Sequence, residues 1–177
     1  MRISGKSTEY KPIIKVNDKK YVVNWFKEDI FQKEVVSKGG KLVDTGKTVS
    51  TGYSYWNTAI FNHKPSANEI QNFVFNEIND KVKSMILLNF RWNGFDVYLS
   101  KENQMNYKSF YDLAFQTKGA SLPVTLKFEK NGKAEYFTFD DLDVFTDFYK
   151  SMIKHINNCL SYGWSLKDKF HKEDYTI

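Results

Sequence analysis

The triplet at residues 46–48, Gly-Lys-Thr, has the residue types that end a phosphate-binding loop. The complete motif also needs a glycine five positions before the second one, and here that position is Lys41. A helix must follow the loop, whereas residues 49–52 are Val-Ser-Thr-Gly, which is no helix start. The sequence therefore favours a flexible loop over a nucleotide site.

Four aspartates lie close together at Asp140, Asp141, Asp143 and Asp147. Paired carboxylates can bind a metal ion or act as an acid–base pair. These aspartates also stand where a helix is predicted to begin, and acidic side chains there cap free N–H groups and complement the helix dipole. We interpret the cluster as structural and expect no metal, cofactor or catalytic residue.

His155 and Cys159 are four residues apart, so one face of a helix would carry both. Two ligands do not complete a zinc site, and no second spaced pair supplies the others. Cys159 is the only cysteine, and we expect it to be a buried small apolar residue. A catalytic triad stays open on sequence alone, but no G-x-S-x-G turn is present. We predict that the chain is not an enzyme.

The candidate interface residues are aromatic and basic. Tyr53, Tyr55 and Trp56 lie in a Gly/Ser/Thr-rich segment, and Lys6 and Lys11 lie near the N-terminus. Tyrosine and tryptophan are enriched at protein interfaces, so we place protein contact first. Two alternatives stay open: these aromatic side chains anchor the segment on the core of the chain itself, or they stack on nucleic-acid bases or sugar rings.

The net charge of +5 is unevenly distributed along the chain. Residues 1–65 hold twelve basic and six acidic side chains, a net charge of +6. A basic arm can dock on an acidic protein or on nucleic acid. Only two of the 26 basic residues are arginine, which disfavours groove reading, so nucleic acid is the weaker choice. We find no signal peptide or membrane span and expect no membrane partner.

The N-terminal third predicts an arm, a hairpin and a long loop. Residues 1–11 are polar and suit an extended arm. Residues 12–16 and 21–26 are β-type runs around an Asn-Asp turn. Residues 37–57 are rich in glycine and show no helical pattern, which indicates a loop or a loosely paired ribbon.

The remaining chain alternates helices with hairpins. Apolar residues recur at helical spacing in three segments. Ser66, Ser100 and one of Asp140 and Asp141 are suited to cap them. Two Asn-Gly pairs predict type I′ turns. We expect an α+β fold: a helix–hairpin–helix–hairpin–helix module preceded by a small N-terminal β region and arm. The predicted domains are residues 1–58 and 59–177.

Several motifs in the second domain carry a family resemblance. They are AIFNHKPSANEI (59–70), FRWNG (90–94), VYLSKENQMNYK (97–108), YDLAFQTKGASLPVTLKF (111–128), YFTFDDL (136–142) and GW (163–164). Together they resemble a domain-of-unknown-function family of phages and prophages of Bacteroides-type gut bacteria. A related form is the C-terminal domain of phage tail-fibre assembly proteins. The resemblance implies a virion role and brings no catalytic residues.

We therefore expect a structural component of a bacteriophage virion, associated with the tail or collar. It would act through protein–protein contacts with other phage structural proteins in a multi-copy assembly, and would be made in the host cytoplasm. Two alternatives stay open. One is a tail-fibre assembly chaperone absent from the mature particle, and the other is a small protein that binds glycan or nucleic acid.

Overall fold

A computed structural model describes residues 1–176 of the chain. The chain forms two compact units, which are residues 75–167 and residues 1–74 together with the chain from 168 onward. Within the described residues, eight strands make two four-stranded antiparallel sheets. Three α-helices and two short 3-10 helices, Ser7–Glu9 and Lys172–Tyr175, are also present. The architecture is mixed α and β with a large share of strand.

The predicted fold class is therefore wrong. The N-terminal third is no small β region with an arm and a loop, because nearly all of residues 1–61 are in strands. The two Asn-Gly hairpins are not separate parts of a helical module either, because Asp96 pairs with Glu129 and joins them into one sheet. Local patterns predicted single elements, whereas pairing between distant segments determines the sheets.

Four strands make the sheet of the first unit. They are β1 (Arg2–Lys6), β2 (Ile13–Asn17), β3 (Lys20–Lys38) and β4 (Lys41–Phe61). Their order is β1–β4–β3–β2, and every pair is antiparallel. The predicted hairpin of β2 and β3 is confirmed, but β3 continues twelve residues beyond its predicted end at Phe26.

The core of the first unit lies at the base of β3 and β4. Val23, Trp25 and Trp56 are buried there, and the ring of Trp25 meets Phe73 edge-on at 5.9 Å. The C-terminal segment belongs to the same unit, because the Tyr175 hydroxyl donates a hydrogen bond of 3.0 Å to the Asn24 carbonyl. Burial raises the pKa of the Tyr175 hydroxyl, so it remains a donor at neutral pH.

The elements from residue 67 onward are helices and short strands. They are α1 (Ala67–Leu88), β5 (Phe90–Trp92), β6 (Phe95–Val97), α2 (Lys101–Gln116), β7 (Val124–Lys130), β8 (Lys133–Phe139) and α3 (Leu142–Asp168). The second sheet has the order β5–β6–β7–β8. The dividing line between the two units falls within α1, after Val74.

Turn and cap chemistry explains where these elements begin. Asn93 and Gly94 have φ of 48° and 78°, the left-handed pair that a type I′ turn needs. Ser100 Oγ accepts the Asn103 N–H at 3.1 Å and caps α2. Asp141 Oδ1 accepts two N–H groups of the first turn of α3. The predicted turns and caps are confirmed at these positions.

A cluster of aromatic rings forms the core of the second unit. Phe139, Phe145 and Phe148 are wholly buried, with ring centroids 4.5–6.3 Å apart. Trp92 joins the cluster, and its indole N–H donates to Asp147 at 2.8 Å. Interlocked rings of this kind make a core that resists deformation.

Candidate interaction site

The most distinctive surface of the first unit is a two-stranded ribbon, which we define as residues 30–52. β2 pairs with β3 only up to Val23, and β1 pairs with β4 only from Tyr53 onward. Between these limits β3 and β4 pair with each other alone, as far as the turn at Gly39 and Gly40. The ribbon therefore has two unpaired edges.

The part of β4 that lies in the ribbon contains a six-residue sequence repeat. VDTGKT (43–48) is followed directly by VSTGYS (49–54). Each copy holds a glycine with φ of 75°, at Gly46 and Gly52. At both places the register of β3 and β4 shifts, so two extra residues of β4 bulge opposite β3. Glycine suits these positions because it adopts positive φ without steric cost.

The two bulges share one hydrogen-bond pattern. The glycine N–H donates to the side chain two residues earlier, to Asp44 at 2.8 Å in one copy and Ser50 at 3.2 Å in the other. The threonine hydroxyl faces a residue of β3 in both copies. Thr45 lies 2.7 Å from the Glu34 carboxylate and 3.2 Å from the Glu34 carbonyl, and Thr51 donates to the Ile30 carbonyl at 2.8 Å. The repeat thus satisfies polar groups that the bulges remove from the ladder.

Bulges have a consequence for the ribbon edges. They strengthen the local twist and turn an edge away from a straight neighbouring strand. Open-ended pairing of ribbons, edge against edge, is therefore disfavoured. The side chains on the ribbon faces are the better candidates for contact with another molecule.

The ribbon exposes apolar side chains to solvent. Leu42 is 80% exposed, Phe31 61%, Val35 49% and Val43 42%. An isolated two-stranded ribbon is marginally stable in water, and these side chains are only partly buried within the unit. A partner that covered them would add the missing apolar contact.

A salt bridge links β3 and β4 near the ribbon tip, which is the end at Gly39 and Gly40. Lys33 Nζ lies 2.9 Å from Asp44 Oδ2, and Gly46 N–H binds the other oxygen. These two contacts hold the pKa of Asp44 below its usual range, and the contact with Lys33 has the larger effect. The remaining tip lysines, Lys38 and Lys41, form no salt bridge with any residue of 1–176.

The predicted interface residues have different surroundings. Tyr53 and Tyr55 are 48% and 42% exposed, at the base of the ribbon. Lys6 is exposed and pairs with Tyr53 across β1 and β4. Lys11 is exposed as well, and its carbonyl accepts a hydrogen bond from Asn24. The structure thus brings Lys6 and Tyr53 together and leaves Lys11 apart from them.

Trp56 is not a surface residue. It is 6% exposed, the Tyr10 ring meets it edge-on at 5.7 Å, and Gly5 packs against its outer ring atoms. The alternation of a strand explains this placement, because Tyr55 and Trp56 must point to opposite faces of the sheet. The prediction that Trp56 anchors an interface from a loop is therefore wrong.

The other residues considered for chemistry have structural surroundings. Residues 46–48 lie within β4 and open no helix, so the phosphate-loop context is absent there. Asp141 and Asp147 bind N–H groups, as described above. No three His, Cys, Asp or Glu side chains within residues 1–176 come together to hold a metal ion.

His155 and Cys159 do meet, with Nε2 3.6 Å from Sγ. The same nitrogen lies 3.2 Å from the Met85 carbonyl. A carbonyl only accepts, so Nε2 carries the proton and cannot take one from the thiol. Burial also raises the pKa of Cys159, which disfavours the thiolate. This pair is a packing contact without an activated nucleophile.

The predicted interface residues do not include Phe31, Val35, Leu42 or Val43. The tandem repeat at residues 43–54 is the sequence signal that could have indicated a strand here, because a repeated Thr-Gly step is compatible with a bulged strand.

No family model matches the chain, and neither the curated proteins nor the solved structures contain a significant match. No helix of the described chain is long and apolar enough to cross a membrane.

Proposed function

We propose that this protein is a structural subunit of a multi-copy assembly and that its ribbon binds a neighbouring protein. The assembly we propose is a bacteriophage virion, with the subunit in its tail or collar. The phage setting rests on the motif resemblance of residues 59–172. The mode of action rests on the ribbon.

One observation carries the proposal. Residues 30–52 form a ribbon with both edges unpaired and four apolar side chains exposed. Ordering these 23 residues costs conformational entropy, and in the free chain much of their apolar surface stays exposed, so burial offsets only part of that cost. A neighbour that covered the ribbon would offset that cost.

The second unit supports the same proposal by its rigidity. Thirteen buried residues between Phe90 and Met152 form one core cluster, most of them aromatic. A rigid block with an attached ribbon is well suited to repeated packing in a particle, where each copy must present the same surfaces.

Deletion of the ribbon tests the proposal. Residues 32–49 would be replaced by Asn-Gly, which joins the paired residues Phe31 and Ser50 through a two-residue turn. We expect the variant to keep the melting temperature of the isolated protein and to be missing from purified particles of the phage that encodes it. Met105→Gln, which alters an exposed apolar residue of α2, is the matched control and should be incorporated.

Mass spectrometry of the particles separates the alternatives. Incorporation of the deletion variant at the wild-type copy number would refute the role of the ribbon. A wild-type chain that is abundant in lysate and absent from purified particles would instead support the assembly chaperone. Retention on DNA that weakens steeply with salt would support the nucleic-acid alternative.

A further inference from the structure

The last strand of the second sheet, β8, is an edge strand with a regular backbone. It stands at the end of the order β5–β6–β7–β8, so only one of its sides has a neighbouring strand. All its residues pair with β7 without a register shift. Bulges, prolines and edge lysines commonly block further pairing. β8 has no bulge or proline, and its one lysine, Lys133, is at the end beside the turn, so its free edge is able to accept another strand.

The other edges within residues 1–176 are less suited to pairing. β5 has three residues and β1 has five. The register of β2 shifts between Lys15 and Asn17, and the ribbon contains the bulges described above. With seven residues, β8 is the longest regular edge of the described chain.

The turn between β7 and β8 determines which backbone groups face the free edge. Asn131 and Gly132 have φ of 53° and 75°, as a type I′ turn requires, and in such a turn the N–H of Lys133 points to Lys130. In an antiparallel strand the N–H and C=O of successive residues point to opposite sides. The outward-facing residues of β8 are therefore Ala134, Tyr136 and Thr138.

The free edge is open to solvent and carries little net charge. Residues 133–136 and 138 are exposed, and Tyr136 is 73% exposed. Glu135 is the only acidic residue of β8. Lys133 and its partner Lys130 lie beside Glu135 on the same face of the hairpin, so the carboxylate has opposite charges near it in its own copy.

We propose that β8 pairs with β8 of a second copy of this chain, antiparallel, about a two-fold axis at Tyr136. Tyr136 is the middle residue of β8, and its N–H and C=O face outward. An axis at this residue therefore aligns the complete strand with itself, and every outward-facing residue meets another one. An axis at Ala134 or Thr138 would pair only part of the strand. This self-complementary placement is the reason for a second copy as the partner.

The side chains are compatible with this register. The two Tyr136 side chains would be direct cross-strand neighbours, and aromatic pairs of this kind stabilise a sheet. Ala134 would lie opposite Thr138, and Glu135 opposite Phe137. No like charges would lie directly opposite each other, so the register carries no direct repulsion.

The interface goes beyond the proposed function, because it lies in the second unit and does not use the ribbon. Both copies contribute the same strand, so the contact is isologous and closes after two copies. The two four-stranded sheets would join into one continuous sheet. A subunit with this contact and a ribbon would have two different surfaces for assembly.

Cross-linking of the full chain tests the position of the axis. Tyr136→Cys places thiols on opposed residues with Cα atoms about 5.5 Å apart, a separation that a disulfide spans. Cys159 is the only native cysteine and is buried. We expect a disulfide-linked dimer on non-reducing gels after mild oxidation. Lys127→Cys is the matched control, because this exposed residue pairs with Tyr136 but lies on β7, and it should stay largely uncross-linked.

Charge exchange tests the register. Ala134→Lys with Thr138→Lys places like charges opposite each other at two positions of the interface. This variant should raise the dissociation constant on the order of tenfold or more in sedimentation velocity. Ala134→Lys with Thr138→Glu places opposite charges at the same positions and should dimerise as the wild type does. Both variants change the same two exposed residues, so a general loss of folding would affect both.

Three results would overturn the inference. They are a wild-type chain that stays monomeric up to about 1 mM, equal cross-linking of the two cysteine variants, and equal dissociation constants for the two charge variants. Cross-linking of Tyr136→Cys to a different protein in particles, and not to itself, would overturn it as well. The ribbon deletion leaves β8 unchanged, so none of these results would decide the proposed role of the ribbon.

Discussion

At the scale of single residues, neighbours in a strand have opposite roles here. Tyr55 is exposed and receives the Arg2 guanidinium 4.8 Å above its ring, whereas Trp56 is buried against Tyr10. Side-chain type alone predicted an interface role for both. Only the face of the strand on which each side chain lies distinguishes an accessible residue from a core residue.

Trp56→Ala should therefore destabilise the isolated protein. Removal of a buried indole leaves a cavity, and we expect a loss of roughly 3–5 kcal/mol in the free energy of unfolding. Tyr53→Ala, at a half-exposed position of the same strand, is the control and should change stability by less than about 1 kcal/mol. Denaturant unfolding of the two variants measures the difference. Equal and small losses would show that Trp56 is not a core residue.

The Asp44 carboxylate should make the ribbon sensitive to acid. Its pKa is lowered in the folded chain, so its stabilising effect is present above the unfolded pKa of about 3.9. The effect is lost as the pH falls through the lower folded value. We expect amide protection at Gly46 to fall below about pH 4, as measured by hydrogen exchange. Asp44→Asn should remove this pH dependence, and a dependence that persists would contradict the assignment.

At the scale of elements, one glycine sets how closely two helices approach. Gly163 lies inside α3, five residues before its end, and is buried. A Cβ atom at this position would lie 2.6 Å from Val82 Cγ2 of α1. Gly163 therefore allows close packing of the two helices.

Gly163→Ala should be destabilising although alanine favours helix. The intrinsic gain is about 1 kcal/mol, whereas overpacking against a stiff, β-branched valine costs about 1–3 kcal/mol. We expect a net loss in thermal denaturation, with Ser161→Ala at an exposed α3 position as the control. The double variant Gly163→Ala with Val82→Ala should recover part of the loss. A Gly163→Ala variant more stable than the wild type would contradict the close contact.

At the scale of the whole molecule, one of the two folded units is built from two separate stretches of the chain. The C-terminal residues from 168 onward belong to the unit built by residues 1–74. The aromatic core of the other unit lies wholly between Phe90 and Met152. The predicted boundary after residue 58 falls within β4, three residues before its end. The second predicted domain, residues 59–177, stays a prediction.

A fragment of residues 59–177 tests that prediction. It keeps the complete aromatic cluster, so we expect cooperative melting. It loses β1 to β3 and most of β4, which leaves Ile70, Val74 and Tyr175 without the sheet of their own unit. The melting temperature should therefore lie below that of the full chain in calorimetry. A broad transition without a heat-absorption peak would show that the 90–152 cluster is insufficient for folding.

The sequence by itself determined the local elements of the second half. Both Asn-Gly turns, the cap at Ser100 and the three helices follow from backbone preferences and from hydrogen bonds between residues a few positions apart. Such signals need no distant partner. They predicted where helices and hairpins form, but not that β6 and β7 pair to make one sheet.

Only the tertiary structure decided that the N-terminal third of the chain forms paired strands. Residues 37–57 show a glycine-rich pattern that is typical of a loop, yet they end β3, turn at Gly39 and Gly40, and continue as β4. The strand forms because β3 supplies the partner and bulges accommodate Gly46 and Gly52. The polar N-terminus becomes β1 for the same reason. Strand pairing is a contact between segments far apart in the chain, so composition predicted flexibility where pairing produces an ordered ribbon.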